Sequence, residues 1–263
     1  MPHPIYVVDA FSNKAFSGNP AGVCILEGPA EESWMQSVAA EMKHAETAFI
    51  WPKHDGVFGL RWFTPTVEVA LCGHATLASA HVLWSTGRLS ESQDICFQTI
   101  YSGELICRKT EGKIQMNFPS EAMTEAPCPE YLTEALGIEA LWIGLNRMDY
   151  LVEVESEEVV RQLSPNLDLL AKIAVRGVIV TAGASDYDFV SRFFAPASGV
   201  PEDPVTGSAH CALGPFWSSK LGKANLKGFQ ASPRGGEVGV EVSGDRVILT
   251  GEACTILSGE LSA

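Results

Sequence analysis

The sequence predicts an α+β fold of two pseudo-symmetric lobes, each a curled, mostly antiparallel sheet around one central helix. Three observations carry this prediction. The first is an internal repeat. Arg61-Trp62-Phe63-Thr64-Pro65 and Arg192-Phe193-Phe194-Ala195-Pro196 are aromatic, strand-like runs closed by proline. Each leads into a glycine turn, Cys72-Gly73-His74-Ala75-Thr76-Leu77 and Asp203-Pro204-Val205-Thr206-Gly207-Ser208-Ala209-His210. Arg61 and Arg192 lie 131 residues apart, as do Pro65 and Pro196; the spacing is 134 for Gly73 and Gly207 and 133 for Trp84 and Trp217. Solenoid units run roughly 20–50 residues, so this longer period reads as two related lobes. The second observation is that the segments after both glycine turns are small and apolar. Ala75 to Trp84 has no polar face, and such a helix is buried all round. Small residues let strands approach it from several directions, as an enclosing sheet requires. Thirdly, most of the remaining chain is short β-branched or aromatic runs between turn residues, about a dozen strands with no βαβ alternation.

Taken in order, Ile5 to Phe11 is a strand bounded by prolines and polar residues, Gly18-Asn19-Pro20-Ala21-Gly22 a turn, and Val23 to Leu26 a second strand. Glu31 to Lys43 places Trp34, Met35, Val38, Ala39 and Met42 at helical spacing, with Glu31 and Glu32 in the first turn where the helix dipole favours them. Strands follow at Glu46–Trp51 and Val57–Thr64, and then the apolar helix. Ile95–Thr99, Gly103–Arg108 and Lys113–Phe118 read as an antiparallel meander. Pro119 to Pro129 is rich in turn formers and is the linker candidate, giving a first lobe of 1–120 and a second of 121–251. Pro129–Leu136 is a short helix ended by Gly137, and Ala140–Ile143 and Tyr150–Val154 are strands. Glu157–Ala174 is helical but broken near Ser164-Pro165. Val178–Thr181 and Phe189–Phe194 lead to the second glycine turn, and Gly214-Pro215 should kink or shorten the helix after it. Strands at Phe229–Ala231, Glu237–Val242, Arg246–Thr250 and Ala253–Leu257 complete the chain. A return of the last strand, over 252–263, to the first lobe is a topological option that no residue signals.

The formal charge is −14 and no Lys/Arg cluster occurs, which argues against a nucleic-acid partner, since phosphate binding needs basic patches. Seven scattered cysteines, an odd number without a C-x-x-C pair, read as reduced thiols of a cytoplasmic protein. Met1-Pro2-His3-Pro4 leads directly into a strand, so no secretory leader is read, and no apolar run reaches the roughly 18 residues of a membrane span. Helix starts with unbonded amide N–H groups attract anions. Two of them facing each other would make a cleft for a small acidic metabolite.

Several side chains could carry chemistry, and each has a plainer reading. Glu46 alone is a solvated strand glutamate. His74, directly after a glycine at a helix start, stands out from His44, His54, His81 and His210, which read as structural or surface residues. Asp203 before Pro204 is a turn or N-cap, and Ser208 a first-turn helix residue. Arg234-Gly235-Gly236 lacks the following G-K-[ST] of a phosphate loop and reads as a tight turn near the cleft. No metal-ligand spacing such as H-E-x-x-H exists, so no metal is assigned.

The quoted motifs resemble those of the phenazine-biosynthesis isomerase-like (PhzF-type) family. The pieces that carry the resemblance are Asp9-Ala10-Phe11, Gly18-Asn19-Pro20-Ala21-Gly22-Val23, Glu46-Thr47-Ala48-Phe49, Arg61–Pro65, Cys72–Leu77, Asp203–His210 and Arg234-Gly235-Gly236. They span nearly the whole chain, and they are most similar to the broad, mostly uncharacterised branch of the family. The resemblance implies the diaminopimelate epimerase-like fold, with the active site between two lobes, in agreement with the repeat. It also implies proton-shuttling isomerisation with no metal or organic cofactor, and a homodimer. Carried over by position, Glu46 matches the family's acid/base glutamate. His74 and Asp203 match residues that hold ring substituents and assist proton movement. Gly73, Gly207 and Ser208 match helix-start positions that bind substrate oxygens.

The chemistry suits these residue types. A carbon-bound proton beside a carbonyl or enamine is weakly acidic, and a carboxylate in apolar surroundings, here Ala45, Ala48 and Phe49, can take it and return it. In related epimerases a cysteine at each helix start forms an acid/base pair. This chain has Cys72 at the first start and Thr206 at the second, which disfavours two-thiol racemisation. Two alternatives stay open: a Cys72-dependent dehydratase, since a thiol at a helix N-terminus is more easily ionised, and a non-catalytic ligand-binding or scaffold protein. The plain reading of Cys72 is a buried small residue.

Overall fold

The structure is a computed structural model and describes residues 2–262. The fold is α+β and divides into two compact units: the chain up to Phe118 together with the stretch from Thr250 onward, and Pro119–Leu249.

In the first unit, β1 (His3–Ala10) pairs antiparallel with β2 (Asn19–Ile25), which pairs parallel with β3 (Glu46–His54). The connection from β2 to β3 is α1 (Glu32–Met42), whose Met35, Val38 and Ala39 pack with Ile5, Cys24, Phe49 and Phe63. β4 (Val57–Phe63) runs antiparallel to β3, carries the two-residue β5 (Glu68–Val69) at one end, and pairs parallel with β6 (Ile95–Gln98). β7 (Glu104–Thr110) and β8 (Lys113–Pro119) complete the anticipated meander. The helix α2 (Gly73–Ser85) is buried from His74 to Ala80 and again from Val82 to Trp84. Its two buried hydroxyls are satisfied internally: Thr76 Oγ1 donates to the Cys72 carbonyl at 2.6 Å and Ser79 Oγ to that of Ala75 at 2.7 Å. Helix α2 therefore needs no polar face.

The turn expected over Gly18–Gly22 is shorter than the sequence suggests. Only Gly18 has left-handed backbone, φ +71°, and a Cβ there would sit 2.2 Å from the Ala10 carbonyl oxygen. From Asn19 onward the chain is already β2, with Pro20 opposite Asp9. Three turn-like residues in a row obscure the strand, because pairing on both sides overrides their local preference.

In the second unit, the two-residue β9 (Thr124–Glu125) pairs with β10 (Trp142–Leu145) after the short α3 (Leu132–Leu136). β11 (Asp149–Glu153) pairs antiparallel with β10 and parallel with β12 (Gly177–Gly183). The broken helix is two helices, α4 (Glu157–Gln162) and α5 (Leu167–Leu170), each with its own N-cap: Ser156 Oγ accepts from the Val159 amide and Asn166 Oδ1 from that of Leu169. β13 (Phe189–Ala195) lies antiparallel to β12 and pairs with the short β14 (Val200–Asp203). After α6 (Gly207–Leu221) come β15 (Asn225–Gln230), parallel to β13, β16 (Gly236–Ser243), antiparallel to β15, and β17 (Arg246–Gly251). The last strand, β18 (Ala253–Leu261), pairs antiparallel along the whole of β1, from Ala10↔Ala253 to His3↔Leu261.

One sequence expectation fails here. Helix α6 is not shortened at Gly214-Pro215; it continues through Pro215 to Leu221. Pro215 has no N–H for the Cys211 carbonyl four residues back. That carbonyl accepts instead from the Glu121 amide at 3.0 Å. The same contact ties down Pro119–Pro129, the linker candidate, at whose first residue the second unit begins. Ser120 N–H is bonded to the Asp245 carbonyl, Glu121 N–H to Cys211, and Thr124–Glu125 forms β9. The proline defect and the turn-rich segment satisfy each other.

The sequence repeat has a structural counterpart within each unit. Arg61 Nε and Nη2 each donate to a different oxygen of Glu68 at 2.6 Å, and the guanidinium lies over Phe63, 5.1 Å from its centroid. Arg192 Nε and Nη2 donate to the two oxygens of Glu202 at 2.7 and 2.8 Å, 4.9 Å from the Phe194 centroid. Both arginines thus tie the aromatic strand to the short strand that precedes a glycine turn. Among the described residues no helix is long and apolar enough to cross a membrane.

Candidate active site

In the first unit the structure brings Glu46, Cys72, Gly73 and His74 together. Glu46 is the first residue of β3, opposite Ala21 of β2. The next pair, Gly22 and Thr47, requires glycine on the β2 side: a Cβ at Gly22 would lie 2.8 Å from Thr47 Oγ1 and 3.0 Å from its Cγ2. Cys72 is the N-cap of α2, Gly73 its first residue and His74 its second. Cys72 makes no capping hydrogen bond from its side chain, so the first-turn amides are not consumed by the cap.

His74 is 5 % exposed, and three groups surround its ring. Its Nε2 lies 3.3 Å from Glu46 Oε2, its Nδ1 3.3 Å from Asn19 Nδ2, and the Cys72 sulfur 3.4 Å from Nδ1. The Asn19 amide nitrogen can only donate, so Nδ1 accepts, and a neutral ring then carries its proton on Nε2. Nε2–H donates to the Glu46 carboxylate. Burial, with a smaller repulsion from His44, pushes the imidazole down to about 3, which keeps it neutral. His74 is therefore a neutral hydrogen-bond donor to a half-buried carboxylate whose side chain is 19 % exposed. The setting anticipated from Ala45, Ala48 and Phe49 is not wholly apolar, because the His74 ring lies 3.3 Å from the carboxylate.

The convergence also answers a question that spacing could not. One ligand atom each of Glu46, Cys72 and His74 lie within 4.8 Å of one another, so this set has the composition to hold a metal ion although no ligand motif exists in the sequence. Three residues drawn from a strand and a helix start are invisible to a linear pattern.

In the second unit Asp203, Thr206, Gly207 and Ser208 are gathered at the start of α6. Thr206 is the N-cap, and its hydroxyl donates to Asp203 Oδ2 at 2.5 Å. Fully buried Gln230 locks both: its Oε1 accepts from the Thr206 amide at 2.8 Å, and its Nε2 donates to the Asp203 carbonyl at 2.7 Å and to Thr206 Oγ1 at 3.2 Å. Arg234-Gly235 is a tight turn, with Gly235 at φ +65° and its N–H on Ser232 Oγ at 3.1 Å. His210 is fully buried; its Nδ1–H donates to the Thr206 carbonyl at 2.9 Å. His81 contacts Thr255 Oγ1 at 2.9 Å. Asn19 and Gln230, which contact His74 and Thr206, escape the sequence reading. Asn19 was hidden between Gly18 and Pro20, and a strand glutamine carries no signal at all.

The family model described as phenazine biosynthesis-like protein matches residues 8–259. The chain is 52% identical to a protein of Halalkalibacterium halodurans described as an uncharacterised isomerase, over 99% of each chain. A crystal structure of a phenazine biosynthesis protein of the PhzF family from Enterococcus faecalis superimposes with a TM-score of 0.96 and 40% identity, covering 100% of both chains. A hydroxyproline epimerase from Agrobacterium vitis, with trans-4-hydroxy-L-proline bound, shares the fold: its TM-score is 0.65 at 10% identity, over 99% of this chain and 92% of that one.

Proposed function

The chain belongs to the PhzC-PhzF family of phenazine biosynthesis-like proteins, and from that premise we propose that it is an isomerase that moves a proton on a small carboxylated, cyclic or unsaturated metabolite without a cofactor. The observation that carries the reading is the Glu46–His74 contact: a half-buried carboxylate 3.3 Å from Nε2 of a buried imidazole whose other nitrogen is held by Asn19. Glu46 takes the proton from a carbon next to a carbonyl or enamine and returns it at another carbon of the same conjugated system. A shift of this kind needs no net proton uptake. His74 remains neutral and holds the carboxylate by its Nε2–H, and the same N–H can follow a substrate oxygen as charge develops on it. The Gly73 amide at the start of α2 suits an anionic oxygen. For the start of α6 the same kind of chemistry is proposed: Gly207 and Ser208 bind substrate oxygens, and Asp203, fixed by Thr206 and Gln230, holds a polar substituent. The description of the Halalkalibacterium relative as an isomerase supports the reaction class.

The test is solvent-deuterium incorporation. The protein is incubated in heavy water with hydroxy-, amino- and dihydroaromatic acids, the products are read by mass spectrometry in heavy and ordinary water, and Glu46→Gln is run beside the wild type. Product or label formed by the wild type and abolished in a folded Glu46→Gln protein is the expected result. Undiminished turnover in the variant would refute the role of Glu46. The Cys72 sulfur lies 3.4 Å from His74 Nδ1, which favours a thiol-dependent dehydratase as a second reading. Label that survives Glu46→Gln and disappears with Cys72→Ala would establish it.

A further inference from the structure

We propose that Glu46, Cys72 and His74 form a site for a soft divalent cation of the zinc type, whose occupancy shuts off proton transfer by Glu46. The inhibitory half rests on the function proposed above; the binding half does not. The three donors are a carboxylate oxygen, a thiol sulfur and an imidazole nitrogen, the combination that zinc takes in four-coordinate sites. Zinc bonds of about 2.3 Å to sulfur and about 2.0–2.2 Å to nitrogen and oxygen, arranged tetrahedrally, separate neighbouring ligand atoms by about 3.4–3.6 Å. Here Glu46 Oε2 and His74 Nε2 are 3.3 Å apart, the Cys72 sulfur is 4.0 Å from the same nitrogen, and all three lie within 4.8 Å. Closing the set on one ion takes a side-chain rotation of Cys72, whose sulfur lies nearer Nδ1, at 3.4 Å, than Nε2, and leaves a fourth position for water or a substrate oxygen.

The donors also define which ion. A thiolate excludes magnesium and calcium, which take oxygen ligands, and selects zinc, cobalt or cadmium. Binding at Nε2 transfers the ring proton to Nδ1, where the Asn19 amide, turned over, presents its oxygen as the outer partner that metal-bound histidines require. The Cys72 thiol proton passes to solvent as the sulfur binds. The start of α2 opposes a cation, but two anionic ligands against one dipole end leave the balance with the metal. A carboxylate that donates its lone pair to zinc is no longer a base, and the isomerase stops.

Cobalt(II) tests the binding directly, because cobalt bound to a thiolate absorbs in the near ultraviolet. The full chain, freed of metal by chelator and kept reduced, is titrated with cobalt chloride. The expected result is one equivalent with a thiolate band, displaced by zinc, absent in Cys72→Ala and Cys72→Ser, and retained in Cys128→Ala, which removes an exposed thiol. Two serine- and alanine-bearing variants with native circular dichroism keep loss of the band separate from loss of fold. No band in the wild type, or a band that survives both Cys72 variants, overturns the site. Zinc should also abolish deuterium exchange, and chelator should restore it. Zinc bound at this site with exchange unchanged overturns the inhibitory half alone. Absence of both product and exchange from every preparation counts against the isomerase reading and leaves the cobalt result standing.

Discussion

Glu202→Ala should be among the most damaging single substitutions outside the acid/base residues. Its partner Arg192 has a side chain only 10% exposed, and that of Glu202 is 18% exposed. Removing the carboxylate deletes two charge-assisted hydrogen bonds, at Nε and Nη2. It leaves the guanidinium with the Leu163 carbonyl at 2.6 Å and that of Val160 at 3.4 Å, neutral acceptors on Nη1 alone. A buried charge that loses its counter-ion costs about 3–5 kcal/mol. The remaining carbonyls place this case near the lower end, at about 3 kcal/mol. The control is Asp94→Ala. Its ion pair with Arg108 is exposed on both sides, 65% and 51%, and should contribute at most about 1 kcal/mol. A double variant, Arg192→Met with Glu202→Leu, removes the charge together with its partner and should be less destabilised than Glu202→Ala. Urea unfolding followed by tryptophan fluorescence and circular dichroism gives the three values. Equal losses in Glu202→Ala and Asp94→Ala would refute the argument from burial. The pair also bears on function, because Asp203 directly follows Glu202 on β14. Product formation should fall in Glu202→Ala even under conditions where the chain stays folded.

Two further perturbations follow from the same structure. Burial pushes His210 down to about 4, against a partial upward pull from the Thr206 carbonyl. Below about pH 6.5 the unfolded chain binds a proton there that the folded chain refuses, so this contribution is complete above pH 6.5 and fades as the pH falls towards 4. It amounts to about 3 kcal/mol. His210→Asn should flatten the stability profile between pH 7 and 4.5 in urea titrations; an unchanged slope would count against a buried neutral ring. Gly18→Ala forces a side chain into left-handed backbone 2.2 Å from the Ala10 oxygen and should cost about 2 kcal/mol or more in thermal unfolding. Asn19, the next residue, holds His74, so turnover should suffer beyond the loss in stability, and wild-type turnover would argue against the Asn19 link.

The parts of the fold that local chemistry determines were readable in advance. Helix α2 declared itself by lacking a polar side, the break at Ser164-Pro165 separated α4 from α5, and the repeat announced two related halves. What stayed hidden depends on partners distant in sequence. Helix α6 runs through Pro215 because the Glu121 amide replaces the missing donor, and nothing near Pro215 records that. Strands β5, β9 and β14 are ladders of two to four residues, too short to alternate. Within the candidate site, motif position brought out Glu46 and His74, whereas the hydrogen bonds from Asn19 and Gln230 exist only after folding. Cys72 shows the limit most clearly. As a lone cysteine it reads as packing, and its proximity to His74 and Glu46 is a property of the β3 and α2 ends alone.

The pairing of β18 with β1 sets an order of events on the ribosome. Synthesis delivers β1 first and the strand that covers its open flank last. Until then β1, bonded only to β2 on its other side, presents a row of unpaired backbone groups of the kind that recruits stray strands. Pro119–Leu249, by contrast, is contiguous in sequence and can fold as a unit. A nascent chain paused before Ala253 should accordingly be exposed to aggregation and to holdase chaperones along β1, and pairing with β18 is the step that ends that exposure.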